Sequence, residues 1–236
     1  MNSEKPLIKI FERIAPAYER TNHMLTFFMD KHWRSRAAAL LFTSGDHPRV
    51  HADLCSGTGE TARIIKARFR ETRVISVDIS EHMLKTEKTG KEKDGIMLCR
   101  ADTFSLPFRT DSLDEVSITF ALRNLETLGG LEKAFREISR ILKPGGRLMT
   151  AETSQPSSYI VRSIFHFYAK KAVPFFGGIL SGSREGFKYL GGTMKNFHDE
   201  KSLSQIMQRS GLQVIKTRKY FFGAIAVHIC GKPCQD

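Results

Sequence analysis

The chain has 236 residues, of which 41% are hydrophobic and 26% are charged. This length fits one domain with small additions, and the composition excludes a largely disordered chain. No apolar run approaches the ~18 residues of a membrane-spanning helix, and no apolar core follows a basic start at the N-terminus. We therefore expect neither a membrane span nor a signal peptide.

The cysteines lack the paired spacing of a disulfide framework or of a metal cluster. We expect free thiols in a reducing cytoplasm and no bound metal. The four positions are Cys55, Cys99, Cys230 and Cys234.

The charge is strongly positive and unevenly distributed. Lys and Arg number 37 against 25 Asp and Glu, a net charge of +12, and residues 155–236 alone hold 12 basic and 4 acidic residues, a net +8. Such a field favours an anionic partner, which would be a phospholipid surface, a nucleic acid or an acidic substrate. A basic protein without a charged partner is the alternative.

The order of predicted elements changes along the chain. Residues 1–48 place apolar side chains at helical spacing and predict an N-terminal helical cap. Residues 49–236 are expected to form the main domain, with one long helix at 128–142. Short strands that alternate with helices predict the α/β class, with a doubly wound and mostly parallel sheet. Strands are predicted at 49–54, 73–77, 96–100, 113–120 and 147–152.

The last third of the sequence departs from this alternation. Residues 157–176 are predicted to form an aromatic-rich helix, and a glycine-rich stretch follows at 177–192. We interpret about 157–195 as a helical insertion that contacts substrate or membrane. A helix at 199–210 follows, and two further strands complete a seven-stranded sheet as an antiparallel hairpin at its edge. These strands are predicted at 212–220 and 223–230.

A glycine turn after the first strand indicates a ligand site. Gly57 and Gly59 permit a tight turn close to a ligand, and the next helix offers free N–H groups. Asp78 closes the second strand and can accept the hydroxyl groups of a ribose. The pattern fits a dinucleotide, S-adenosylmethionine (SAM) or a turn without a ligand. Asp53 favours SAM, since a carboxylate attracts an ammonium and a sulfonium but repels a pyrophosphate.

Polar residues also end the next two strands. Asp102 and Thr103 follow the third strand, where a polar side chain can meet an adenine amino group; a simple turn is the alternative. Thr119 closes the fourth strand at the carboxyl edge, where open α/β sheets bind ligands.

Longer motifs resemble one family. Phe11–Asn22 is similar to F-x-x-I-A-P-x-Y-D-x-x-N and is followed by Trp33-Arg34, while Thr119–Asn124 is similar to S-F-G-L-R-N. Tyr189–Phe197 and Gly223–His228 are similar to Y-L-x-x-S-x-x-x-F and G-x-x-A-x-H. The chain thus resembles, over nearly its whole length, the ubiquinone/menaquinone biosynthesis C-methyltransferases of the UbiE type, which are class I SAM-dependent methyltransferases.

The resemblance implies which residues contact SAM, and the sequence also differs from the family's motifs at several positions. Glu19 and Glu60 stand where the family usually has Asp, and Ala121 stands where Gly is usual. Ala121 adds a methyl group beside the expected substrate pocket. The SAM contacts that the resemblance implies are Thr58, Asp78, Asp102, Thr103 and Thr119.

The implied reaction methylates a ring carbon of a prenylated quinol, either demethylmenaquinol or the equivalent ubiquinol precursor. Arg123 is our candidate for stabilising the phenolate, Asn124 for orienting that oxygen or a water, and Tyr18 for closing over the site. The structural alternatives are a salt bridge, a helix cap and core packing, respectively. Glu152 and His228 are candidate bases, each with a structural alternative.

The predicted partners follow from the same pattern. Residues 163–180 combine aromatic and basic side chains, which fits either contact with an anionic membrane or a helix that covers the sheet. We expect a cytoplasmic enzyme, peripheral at the inner membrane surface, and leave a homodimer open. The rivals are a SAM methyltransferase acting on RNA or another small molecule and a non-enzymatic scaffold. No RNA-binding module is recognisable, so nucleic acid is not the expected partner.

Overall fold

A seven-stranded sheet forms the centre of the molecule. The strands are β1 (Val50–Leu54), β2 (Arg73–Asp78), β3 (Ile96–Arg100), β4 (Leu113–Thr119), β5 (Leu142–Thr153), β6 (Gln213–Tyr220) and β7 (Ile225–Gly231). The computed structural model describes residues 19–41, 50–88 and 95–234. The sheet order is β3-β2-β1-β4-β5-β7-β6; the first five pair in parallel, whereas β7 runs antiparallel to both of its neighbours. The predicted α/β class and edge hairpin are confirmed.

Helices cover both faces of this sheet. A π-helix spans Tyr168–Ala172, between the sixth and the seventh α-helix, and a 3-10 turn, Phe221–Gly223, joins the last two strands. The helices are α1 (Met29–Leu41), α2 (Glu60–Arg68), α3 (Glu81–Lys88), α4 (Leu122–Leu128), α5 (Leu131–Ile141), α6 (Tyr159–Phe167), α7 (Val173–Ser181), α8 (Arg184–Asn196) and α9 (Glu200–Arg209).

Three predicted elements need correction. The helix expected at 128–142 is α5, which begins only after Gly130, whose φ of 88° is not helical; the separate helix α4 before it was not predicted. The fifth strand begins at Leu142, not at residue 147, and so follows α5 directly. The glycine-rich stretch at 177–192 is helical except at Gly182 and Ser183, which separate α7 from α8.

The two faces of the sheet bury separate apolar clusters. On one face, Phe135 and Ile138 of α5 are fully buried and pack with Val116 of β4. On the other face, Ala37 and Leu41 of α1 pack against β5 and β7. Helix α1 therefore lies on the sheet beside α2, and this packing brings the start of α1 to the carboxyl ends of the central strands.

The predicted cap at 1–48 is only partly visible. Residues 19–25 are helical and precede α1, whereas residues 1–18 and 42–49 lie outside the described residues. The division of the chain at residue 48 remains a prediction.

Helices α6, α7 and α8 form the region predicted as an insertion. Gly177 and Gly191 permit close packing there: a Cβ at the first would lie 2.3 Å from the Phe187 ring, and one at the second 2.0 Å from the Ala169 carbonyl oxygen. Within the described residues, no helix is both long enough and apolar enough to cross a membrane.

Candidate active site

The carboxyl ends of four adjacent strands meet at one cavity. Strands β3, β2, β1 and β4 are neighbours in the sheet, and parallel pairing places their ends at the same edge. Most of the predicted site residues line this cavity. Those that do are Gly57, Thr58, Asp78, Asp102, Thr103, Thr119 and Asn124.

The turn after β1 depends on left-handed backbone conformations. Cys55, Gly57 and Gly59 have φ values of 51°, 58° and 79°, and Gly59 directly precedes α2. A Cβ at Gly57 would meet nothing within 4 Å, so glycine is needed there for its conformation and not for lack of space. The turn leaves an open cradle in front of the α2 N-terminus, where backbone N–H groups favour an anionic or polar ligand.

Asp53 lies beneath the turn and not on the cavity wall. Its side chain is 1% exposed; Oδ1 accepts a hydrogen bond from Ser117 Oγ at 2.6 Å, and Oδ2 accepts one from the Ala62 N–H at 3.2 Å. His51 Nε2 lies 2.9 Å from the same Ser117 hydroxyl. In the structure Asp53 therefore joins β1, β4 and the start of α2, and it supports the turn from below.

Asp78 ties the glycine turn to the end of β2. Its Oδ2 accepts from the Gly57 N–H and its Oδ1 from the Ser80 N–H, each at 2.8 Å. Burial raises the pKa of this carboxyl group, against the lowering effect of those backbone hydrogen bonds. A carboxylate has about four acceptor positions, so Asp78 can still accept ribose hydroxyls on the cavity side.

The turn after β3 forms the next part of the wall. Asp102 Oδ1 accepts from the Phe104 N–H at 2.9 Å, and Thr103 Oγ1 lies 3.3 Å from Cys55 Sγ. Burial and nearby acidic side chains raise the pKa of the Cys55 thiol to about 12, so it is neutral near pH 7.

Arg123 and Glu152 form a buried ion pair. Arg123 is 4% exposed, and its Nε donates to Glu152 Oε1 at 2.7 Å, while Nη2 donates to the Phe120 carbonyl oxygen at 3.2 Å. Among the described residues, the cavity lining includes Phe120 but not Arg123. The structure therefore contains the salt bridge that was the structural alternative to a catalytic Arg123. The guanidinium contacts the cavity wall indirectly, through its hydrogen bond to the Phe120 carbonyl oxygen.

The other candidate catalytic residues lie in different surroundings. Asn124 lines the cavity, and its Oδ1 lies 3.4 Å from the Tyr189 hydroxyl, which can donate to it. His228 is buried in β7 with Nε2 3.1 Å from the Glu200 carbonyl oxygen, and burial lowers its pKa. Tyr18 lies outside the described residues.

The structure adds charged wall residues that had not been assigned a site role. Glu19 and Glu60 line the cavity and, with His23, place potential ligand atoms within 4.8 Å of one another. Cations already lie against both carboxylates: Arg34 Nε is 3.5 Å from Glu60 Oε2, and Arg63 Nη2 is 3.5 Å from Glu19 Oε1. Burial raises the pKa of Glu60, an effect that Arg34 opposes.

Comparison with known proteins decides the family. A family model described as the ubiE/COQ5 methyltransferase family matches residues 1–232. The chain belongs to this family. A Lactiplantibacillus plantarum protein named demethylmenaquinone methyltransferase is 34% identical over 232 residues, which are 96% of this chain and 95% of the relative. A Thermus thermophilus protein of the same name is 32% identical over 226 residues, which are 95% of this chain and 100% of the relative.

The fold comparison agrees with this family. A SAM-dependent methyltransferase structure from Thermotoga maritima superposes with a TM-score of 0.67 at 21% identity, covering 96% of this chain and 99% of that one. As a ubiE/COQ5 family member the protein is a SAM-dependent methyltransferase, so the predicted cofactor, SAM, is confirmed, whereas the residues that contact it stay a prediction. The cradle and the carboxylate at the end of β2 fit this cofactor.

Proposed function

We propose that this protein methylates a ring carbon of a prenylated quinol of the demethylmenaquinol type. The observation that carries the proposal is a cavity whose lining is polar in one part and apolar in another. The glycine turn and the acidic side chains are the polar part, and Ala121, Leu125 and Leu128 in and before α4, together with Phe104, are the apolar part. Such an apolar lining suits a flat aromatic ring, and the named relatives over nearly the full chain favour this substrate.

When bound, SAM would supply an electrophilic methyl group to the quinol carbon, in exchange for a proton of the ring. The protein has to orient the quinol, stabilise a developing phenolate and exclude water. Asn124 is the wall residue that we assign to the phenol oxygen, because its amide can donate to an oxyanion. Arg123 acts behind the wall, where it holds the Phe120 carbonyl in place. Tyr18 remains our candidate for the residue that closes the site.

The test is methyl transfer from labelled SAM to demethylmenaquinol that is kept reduced in detergent. A demethylated ubiquinol precursor and bulk RNA serve as competing acceptors. We expect label on a quinol, with demethylmenaquinol preferred. Label on RNA alone would replace this proposal with the rival activity.

A variant pair tests the role of Asn124. Asn124→Ala should lower kcat by about 100-fold, the scale expected for one oxyanion donor, while SAM affinity changes little. Thr127→Ala is the matched control, since Thr127 lies on the same helix and its hydroxyl donates to the Arg123 carbonyl oxygen at 3.1 Å. Equal kcat in the Asn124 variant and this control would remove the assigned role.

We further propose that α6 and α7 rest on an anionic membrane that holds the prenylated substrate. Exposed apolar side chains lie beside a groove whose basic residues include Lys170, Lys171, Arg184 and Lys188, with Glu185 as an acidic neighbour. Basic groups at the headgroups and aromatic rings below them are typical of interfacial helices. The exposed apolar residues are Tyr159, Ile160, Ile164, Phe167, Phe175, Phe176 and Ile179.

Vesicle sedimentation tests this surface. Wild-type protein should bind phosphatidylglycerol vesicles more strongly than phosphatidylcholine vesicles, and salt should weaken the binding. Replacing Phe175 and Phe176 by Ser should abolish it, while Ile215→Ser, at an exposed residue on the edge strand β6, should not. Equal binding by both variants would show that this face is not the membrane contact.

A further inference from the structure

Arg34 joins three elements at one end of the cavity. It lies on α1, and its Nη1 donates to Thr61 Oγ1 of α2 at 2.9 Å and also to Thr119 Oγ1 at the end of β4. Its Cζ lies 4.9 Å from the centre of the Phe120 ring. These contacts fix the guanidinium against the cavity wall, so that its orientation is set before a ligand arrives.

The guanidinium retains donor capacity. An arginine side chain has five N–H donors in a planar fork. Within the described part of the chain, Nη1 makes the hydrogen bonds of Arg34, and Nε lies 3.5 Å from Glu60 Oε2 without hydrogen-bonding geometry. The Nη2 group is therefore available to an incoming acceptor.

Arg34 is also the one cationic side chain among the described residues that line the cavity. The remaining charged lining residues are acidic, namely Glu19, Glu60, Asp78 and Asp102. An acidic lining suits the ammonium and sulfonium of SAM but opposes its carboxylate. A carboxylate in this cavity needs a local cation, and Arg34 is the described side chain that can supply it.

The position of Arg34 matches the amino-acid end of the cofactor. Across the sheet edge, Asp102 follows β3, Asp78 ends β2, the glycine turn follows β1 and Thr119 ends β4. Neighbouring strands are about 4.8 Å apart, so these four ends span about 14 Å. A ligand with its ribose at Asp78 and its adenine near Asp102 extends its amino-acid end toward Thr119 and Arg34.

We propose that Arg34 binds the carboxylate of SAM. A guanidinium fork can hold a carboxylate with two parallel hydrogen bonds, and Thr119 and Thr61 keep the fork facing the cavity. The inference concerns the cofactor alone and holds for any methyl acceptor.

Decarboxylated SAM tests the assignment, because it lacks only the carboxylate and keeps the ammonium and sulfonium. By titration calorimetry without quinol, wild-type protein should bind SAM on the order of 10- to 100-fold more tightly than decarboxylated SAM. In Arg34→Met this ratio should fall close to one, because SAM affinity drops and that of decarboxylated SAM does not. Arg34→Lys keeps the cation without the fork and should retain an intermediate ratio.

Arg36→Met is the matched control, since Arg36 is exposed on the same helix and should keep the wild-type ratio. A wild-type ratio in both Arg34 variants would overturn the proposal. If the Met variant does not fold, the Lys variant still decides, because an undiminished ratio there has the same meaning. Absence of quinol methylation would leave these ratios unchanged, so failure of the proposed substrate can be told apart from failure of this inference.

Discussion

Because Arg123 and Glu152 form a buried ion pair, removing one of the two charges should lower the stability of the folded protein. Glu152 is fully buried, and its Oε1 accepts from Arg123 Nε at 2.7 Å and from the Thr153 N–H at 2.7 Å. Glu152→Gln removes the charge but keeps the size of the side chain. It leaves the Arg123 guanidinium buried without its counter-ion, a change that costs about 3–5 kcal/mol of the free energy of unfolding.

A double-mutant cycle in urea separates this cost from a loss of packing. Arg123→Met should be comparably destabilising, because it leaves the Glu152 carboxylate unpaired and the Phe120 carbonyl oxygen without its donor. Glu152→Met is the second single variant of the cycle, and the double variant Arg123→Met with Glu152→Met should lose less stability than either of these single variants, since no buried charge remains. A cost below about 1 kcal/mol for Glu152→Gln, as for an exposed pair, would refute the reasoning. So would additive effects in the double variant.

Three further predictions concern stability and reactivity. Burial raises the pKa of Glu115 to about 9 from 4.5, so the folded protein keeps a proton that the unfolded chain releases, and stability should fall as pH rises between these values. Glu115→Gln should flatten that fall and stabilise the protein at pH 8, which urea titrations at pH 4.5 and pH 8 would check; equal slopes would contradict it. Gly191→Ala should destabilise the protein, because it disrupts packing against the Ala169 carbonyl. Gly192→Ala should raise stability by up to about 1 kcal/mol, because a Cβ there meets nothing within 4 Å. The melting temperatures of the two variants measure this difference, and equal shifts would refute it. Because its pKa is about 12, Cys55 should resist iodoacetamide at pH 8 in the folded protein and react in urea, as mass spectrometry can show; rapid folded-state alkylation would contradict this.

The cofactor edge of the site could be predicted because it follows from topology. Alternating strands and helices predict a parallel sheet, and parallel strands bring their carboxyl ends to one edge. Gly57, Asp78, Asp102 and Thr119 each stand at or just after a predicted strand end, and all four line the cavity. No side-chain contact had to be known for that step. The same argument could not predict that Asp53 lies beneath the turn and not on the cavity wall, because its burial depends on Ser117, which is 64 residues away in the chain.

The substrate edge depends on side-chain direction, which the sequence does not specify. Arg123 and Asn124 are neighbours in the chain, and successive residues of a helix point about 100° apart, so they cannot share one face. The structure turns Asn124 to the cavity and Arg123 to Glu152. Likewise, the predicted start of α5 was three residues early, because apolar residues continue across Gly130 and apolar periodicity carries no information about φ.

The contacts of Arg34 link the order of the N-terminal helices to cofactor binding. Its partners Thr61 and Thr119 belong to the central layers, whereas Arg34 belongs to α1, so a ligand that engages the guanidinium also holds α1 against the strand ends. This coupling is reciprocal: the free energy by which the ligand stabilises the packing of α1 is also the free energy by which packed α1 strengthens ligand binding. Glu19 and Asn22, which precede α1 in the chain, also line the cavity. A methyl transfer that must exclude water gains from this arrangement, because a bound donor stabilises the part of the wall that lies next to it.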